Sequence, residues 1–216
     1  MRVLCLHGLG GTGATMWPLV GALSSAGHTV LAPTMPGHGS DPADLVGITW
    51  SDWVQAAAEW PADVVIGQSM GANLALSLAA QGACRAVVAV NPLAADPDAL
   101  DGLEWRGARG HERIEVEPST VGEQAYDWLP ISALQAMHEG IIVQDLSKVV
   151  LPTLIVTSAD DEVVDPASSD QVAESLGVKA HRVRLRGGHV ATLDADRDTL
   201  CTAVLAFIAT LSRPPG

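Results

Sequence analysis

Ala62-Asp63-Val64-Val65-Ile66 runs directly into Gly67-Gln68-Ser69-Met70-Gly71, and Ala72-Asn73-Leu74-Ala75-Leu76-Ser77-Leu78-Ala79-Ala80 follows without a break. A β-branched apolar run, a turn with glycine two residues either side of a serine, and a strong helix former predict strand, sharp turn and helix in succession. Side chains at positions 67 and 71 would collide across so tight a turn, which is a reason for glycine at both. With 21 glycines in 216 residues, Gly-x-Ser-x-Gly alone would arise by chance in roughly one such chain in seven, so its flanks carry the argument. A strand that passes into a helix through such an apex belongs to an α/β sheet, and the turn holds the serine hydroxyl clear of the backbone.

The same rhythm recurs along the chain. Residues 3–6, 29–32, 64–67, 86–90, 153–157 and 182–185 read as strands. Helices are predicted over 15–26, from a cap at Thr49 or Ser51 to Pro61, over 70–81, from about 166 to 176, and over 197–211. Near-continuous apolar strands separated by helices predict a mostly parallel sheet covered on both faces, in one α/β domain spanning residues 1–216. The stretch from Leu93 to Leu146 breaks the rhythm: it is rich in Asp, Glu, Gly and Pro and carries Trp105, Tyr126 and Trp128. An excursion this long between two sheet strands is expected to be a cap or lid over the strand ends, contributing to a pocket.

Composition bounds what the chain can serve. A formal charge of −13 argues against nucleic acid and anionic membrane surfaces as partners. No apolar stretch approaches the twenty or so residues of a membrane span, so no integral membrane association is expected. The first residues run straight into a strand, which predicts no secretory leader. Cys5, Cys84 and Cys201 are an odd number without metal-type spacing and read as buried, reduced thiols of a cytoplasmic protein. No cofactor and no metal are implied, and nothing in the sequence sets an oligomeric state. Some of the six tryptophans are expected to line a cavity.

A serine hydroxyl is a weak nucleophile until a base takes its proton, and that base needs an orienting acid. Two loops at strand ends supply candidates after Ser69 in the chain. Arg186-Gly187-Gly188-His189 puts a histidine behind two glycines that give the loop conformational freedom. His7 and His38 precede Ser69, while His28, His111, His138 and His181 lie in loops or helix flanks and read as solvated side chains. The acid is Asp161 in Asp-x-Val-Val-x-Pro, whose valines are expected to pack inward and leave the carboxylate facing the base; Asp160 and Asp165 are the alternatives. Two main-chain N–H groups would receive an oxyanion, that of Met70 behind the serine and that of Leu9 in His7-Gly8-Leu9-Gly10-Gly11-Thr12-Gly13. The rival reading of that loop as a dinucleotide or phosphate cradle fails, because neither Gly-x-Gly-x-x-Gly nor Gly-Lys-Ser/Thr is present.

With these residues in view the chain resembles the α/β-hydrolases, and among them the small bacterial carboxylesterases and monoacylglycerol lipases with a minimal cap. The likeness rests on Leu6-His7-Gly8-Leu9-Gly10-Gly11-Thr12, Met35-Pro36-Gly37-His38-Gly39, Thr49-Trp50-Ser51-Asp52-Trp53, Gly67-Gln68-Ser69-Met70-Gly71, Asp161-Glu162-Val163-Val164 and Gly188-His189-Val190-Ala191-Thr192-Leu193-Asp194. The third and last are the narrower signals, and the 93–146 insertion matches least. The resemblance implies Ser69 as nucleophile, His189 as base, Asp161 as acid, and the N–H groups of Leu9 and Met70 as oxyanion hole. It departs from the subgroup at Ser158, where a smaller residue is common, and in lacking a leading antiparallel hairpin.

The function so implied is a serine hydrolase of carboxylic esters with short to medium acyl chains, monoacylglycerol among them, working through an acyl-enzyme. A thioesterase or a carbon–carbon bond hydrolase would use the same three residues. A hydrolase-fold protein that binds a small ligand without turning it over is the alternative of another class, and such a binder would lack an activated serine.

Overall fold

The computed structural model describes residues 1–117 and 119–211 of the 216, so the expected domain and insertion are described apart from the remainder. In chain order the elements are β1 (Arg2–Leu6), α1 (Trp17–Ser25), β2 (Thr29–Leu31), α2 (Trp50–Ala58), β3 (Val64–Gln68), α3 (Met70–Ala80) and β4 (Ala86–Val90). Then come α4 (Pro97–Gly107), β5 (Arg113–Glu115), β6 (Trp128–Pro130), α5 (Ile131–Ile142), β7 (Thr153–Ser158), α6 (Ala167–Ser175), β8 (His181–Leu185) and α7 (Arg197–Leu211).

Six strands form one sheet in the order β2-β1-β3-β4-β7-β8, and every ladder in it is parallel. The central strands β3, β4 and β7 are buried along their whole length, β4 as its unbroken apolar run requires and β3 and β7 with their polar ends enclosed as well, whereas edge strands β2 and β8 are largely open. Alternate side chains of β1 enter opposite cores. Leu4 and Leu6 pack with Trp53, Leu74 and Ile141 on one face, while Val3 and Cys5 pack with Leu19, Leu200 and Phe207 on the other. Each such fully buried Leu or Val contributes about 1.5–3 kcal/mol relative to exposure.

Helix starts follow local chemistry. Thr49 closes a capping box with Asp52, so α2 begins at Trp50 and turns Trp53 and Ala57, one turn apart, into the core. The first helix starts later than its hydrophobic pattern suggests: residues 13–16 make a single 3-10 turn, and Pro18 sets the α-helical start at Trp17. The 93–146 stretch holds α4, the antiparallel ribbon β5–β6 and α5, with α5 packed beside α2 and α4.

Register brings the site together. Leu6 pairs with Gly67, Gln68 with Val90, Val90 with Val156 and Ser158 with Leu185, so the carboxyl ends of five strands finish level. The chain leaves β1 toward β2 on one side and returns to β3 on the other. In open parallel sheets the crevice at such a reversal is where ligands bind.

Candidate active site

Ser69 follows β3 directly and takes φ 56°, ψ −125° before α3 begins. A positive φ costs a non-glycine residue about 1–3 kcal/mol, so the surrounding contacts must hold it. They do so from three sides. The Ser69 N–H donates to the Val90 carbonyl at 2.9 Å, and the Ser69 carbonyl accepts from the N–H of Ala72 at 2.8 Å. A Cβ at Gly67 would overlap the Gly71 carbonyl, and one at Gly71 would overlap the Leu6 carbonyl of β1. The first clash is the one across the turn that the pentapeptide suggests; the second comes from the neighbouring strand.

His189 meets Asp161. Its Nδ1 lies 2.8 Å and 3.0 Å from the two carboxylate oxygens, and the Asp161 side chain is 1% exposed. The same Oδ1 accepts from the N–H groups of Val163 at 2.9 Å and Val164 at 2.8 Å. Burial by itself would raise the Asp161 carboxyl, but the bonds from His189, its charge and the two N–H donors outweigh it and hold the group below the usual carboxylate range. The valines therefore act differently from the expectation. Val163 is 68% exposed, and it is the main chain of the pair, not inward packing, that fixes the carboxylate. Of the alternatives, Asp165 accepts from the N–H of Ala167 at the start of α6, and the Asp160 N–H pairs with the Gly187 carbonyl.

The glycines before His189 also have another use than the one inferred. Neither takes a positive φ. A Cβ at Gly187 would sit 2.6 Å from Asp194 Oδ2, and that carboxylate accepts the Gly188 N–H at 2.6 Å, folding the loop back on itself.

On the opposite wall, the loop after β1 runs against the serine: a Cβ at Gly8 would lie 3.2 Å from Ser69 Cβ and 3.6 Å from its Oγ. The next residue is Leu9, and Met70 opens the first turn of α3, where helix N–H groups lack intrahelical acceptors. His7 is fully buried and shapes this loop, with Nδ1 2.8 Å from the Gly8 carbonyl and Nε2 accepting the Met35 N–H at 2.9 Å. Burial, with the neighbouring His38, pushes its pKa down to about 3, so it is a neutral structural group. His138, read as a solvated side chain, is instead half-buried on α5 with its Nδ1 enclosed, and burial lowers its pKa.

The stretch between β4 and β7 reaches this wall through Tyr126 and Glu123. The Tyr126 N–H donates to the Gly10 carbonyl at 3.0 Å, its hydroxyl donates to the Gly37 carbonyl at 2.9 Å, and its ring stacks on His38. Glu123 Oε1 accepts the Thr15 hydroxyl at 3.0 Å, and a Cβ at Gly11 would meet that oxygen at 3.0 Å. Burial raises the Glu123 carboxyl above its ordinary value, against the opposing pull of the Thr15 bond and the His189 charge. No motif marks Glu123 in the sequence. Trp105 is 56% exposed, with the Arg109 guanidinium over its ring, and Trp53 is wholly within the core, so neither lines a cavity. Among the described residues no cluster of three or more His, Cys, Asp or Glu could hold a metal ion, and no helix is long and apolar enough to cross a membrane.

The sequence profile of the alpha/beta hydrolase family matches residues 3–201, and the chain belongs to that family. The thermostable monoacylglycerol lipase of Bacillus sp. (strain H-257) is 33% identical over 96% of this chain and 90% of its own length. The carboxylesterase of Bacillus subtilis (strain 168) is 25% identical over 97% of this chain and 92% of its own. Among solved structures, one from a study of LipS and LipT, two metagenome-derived lipolytic enzymes, superposes with a TM-score of 0.88 at 29% identity, covering 97% of this chain and 93% of the other. Within the family the protein is thus a hydrolase of the esterase and monoacylglycerol lipase type.

Proposed function

We propose that this protein hydrolyses carboxylic esters through a covalent acyl-enzyme, with Ser69 as nucleophile, His189 as general base and Asp161 as the acid that orients it. The observation that carries this reading is the buried Asp161 carboxylate bonded to His189 Nδ1, on a loop level with the strained Ser69 turn. With Nδ1–H donated to Asp161, the Nε2 lone pair is the one left to accept the serine proton.

In the first half-reaction Ser69 Oγ attacks the ester carbonyl carbon while its proton passes to His189. The oxyanion is received by the N–H groups of Leu9 and Met70, near the positive end of α3. The C–O bond breaks, and the alcohol leaves with the proton from His189. Water then attacks the acyl carbon, gives its proton to His189, and Ser69 is released protonated. Residues 93–146 serve as the cap over this site, and no cofactor takes part.

The substrate class is a short to medium acyl ester of a polyhydroxylic alcohol, with monoacylglycerol the leading case. Glu123 supports it: a half-buried carboxyl beside the Gly11 main chain and within electrostatic reach of His189 can accept a hydroxyl of the leaving alcohol. The three free cysteines agree with a reducing cytoplasm as its compartment. The test is parallel turnover of monoacylglycerols, p-nitrophenyl esters and acyl-CoA, together with labelling by a fluorophosphonate. Labelled Ser69 and turnover of monoacylglycerol in preference to acyl-CoA are expected. An unlabelled, inert protein would mark a binder, and preferential acyl-CoA turnover a thioesterase.

A further inference from the structure

Asn91 follows β4 and is, with Ser69, one of two non-glycine residues with positive φ among those described, at 49°. Asparagine tolerates that conformation better than most residues, yet nothing about a strand end requires it. Its side chain is 2% exposed and makes three hydrogen bonds. Oδ1 accepts the Ser158 N–H at 2.7 Å, while Nδ2 donates to Ser158 Oγ at 2.9 Å and to the His189 carbonyl at 2.9 Å. Ser158 ends β7, three residues before Asp161, and its hydroxyl is wholly buried. The preceding carbonyl, that of Val90, receives the Ser69 N–H, and the Asn91 N–H donates to Val156 on β7 at 2.8 Å.

The two-residue step Val90–Asn91 therefore touches the nucleophile, the acid's strand and the base's main chain at once. We infer that Asn91 is a positioning residue, whose carboxamide sets the height and tilt of the His189 backbone relative to Ser69 and Asp161. Ordinary packing would hold the loop near the sheet. A directed bond to the carbonyl of the base itself fixes the imidazole within the sub-ångström tolerance that proton transfer requires. This inference rests on the triad reading above.

Asn91→Gly keeps the positive φ without strain and removes the side chain with its carboxamide. Folded Asn91→Gly should lose kcat roughly 10- to 100-fold while KM stays within about threefold, the signature of a group that acts in the transition state through another residue. In a His189→Ala background the same change should cost no further activity beyond about threefold, since the residue it positions is gone. Asn91→Asp, which keeps the acceptor for Ser158 but turns an oxygen toward the His189 carbonyl, should show the same kcat loss and serves if the glycine variant does not fold. The inference is overturned if either folded variant keeps kcat within about threefold of wild type, or if the loss recurs undiminished without His189. Failure of both variants to fold would overturn it too, by making the carboxamide a requirement of the fold. Should His189→Ala itself retain wild-type turnover, the triad reading fails instead.

Discussion

Gln68 Oε1 accepts both the N–H of Thr192, at 3.2 Å, and its hydroxyl, at 3.1 Å. The residue before Ser69 thus grips the loop that carries His189, across a separation of 124 positions. Both partners are 1% exposed, so neither could turn to water instead. Gln68→Ala strands two buried donors and should lower stability by about 1–3 kcal/mol in urea unfolding. An unchanged midpoint would show that the pair contributes nothing net.

Replacing Ser69 separates function from stability. Ser69→Ala should lower kcat by several orders of magnitude, on the order of 10⁶ as for other serine triads. Ser69→Gly should be equally inactive yet gain about 1 kcal/mol, because glycine accepts the φ of 56° without strain. Wild-type turnover by the alanine variant would remove Ser69 from the chemistry; a destabilised glycine variant would show that the turn is not strained.

Glu123 predicts a trade between affinity and stability. Its carboxyl is raised by burial, so the folded state holds the proton more tightly than the unfolded chain. The stability it contributes is full below the ordinary carboxyl range and is lost as pH rises through the raised value. Glu123→Gln retains an acceptor for Thr15 without the charge. It should melt higher than wild type at neutral pH, with the gap closing toward pH 4, and should show a raised KM for monoacylglycerol but not for p-nitrophenyl esters. Equal melting across that range would mean that burial does not raise the carboxyl, and an unchanged KM would remove Glu123 from the substrate contacts proposed here.

Acid should unfold the protein in two stages. The pKa of His7 is depressed from 6.5 to about 3, so the unfolded chain takes up its proton first. The stability that neutral His7 contributes is then complete above about pH 6.5 and declines as pH falls toward 3, at up to about 1.4 kcal/mol per pH unit for one proton. Asp161, depressed below its ordinary value, adds a second loss only as pH falls below about 4. Denaturant midpoints of wild type and His7→Gln, compared between pH 7 and 3, read the His7 share, since His38 and His138 are lowered too and Glu123 is raised. A difference between the two that stays constant from 6.5 to 5 would mean that His7 is not held neutral.

Much of this architecture was legible in short stretches of chain. The limits of β4 fall where its apolar run ends, and β3, the turn and α3 follow from one uninterrupted segment. Ser158 and His181 join their strands beyond the apolar pattern because they pair with Leu185 and Leu154 across the sheet, which composition does not display. In the site, Ser69, Asp161 and His189 stand in recognisable local patterns. Glu123 and Asn91 do not: Glu123 meets Thr15 from 108 positions away, and Asn91 meets His189 from 98.

What the linear chain determined was each piece whose geometry closes within a few residues: the glycine-flanked turn, a helix start at Thr49 or Ser51, and the alternating strands and helices. What only the tertiary structure decided was which of those pieces lie side by side. That choice depends on strand order and register, which place level the ends of β1, β3, β4, β7 and β8. Hydrogen bonds between such distant residues gain enough to form only after burial of the sheet faces has met the entropic cost of bringing the chain together. Until then, nothing near Asn91 or Glu123 in the sequence distinguishes them from any other polar residue on a loop.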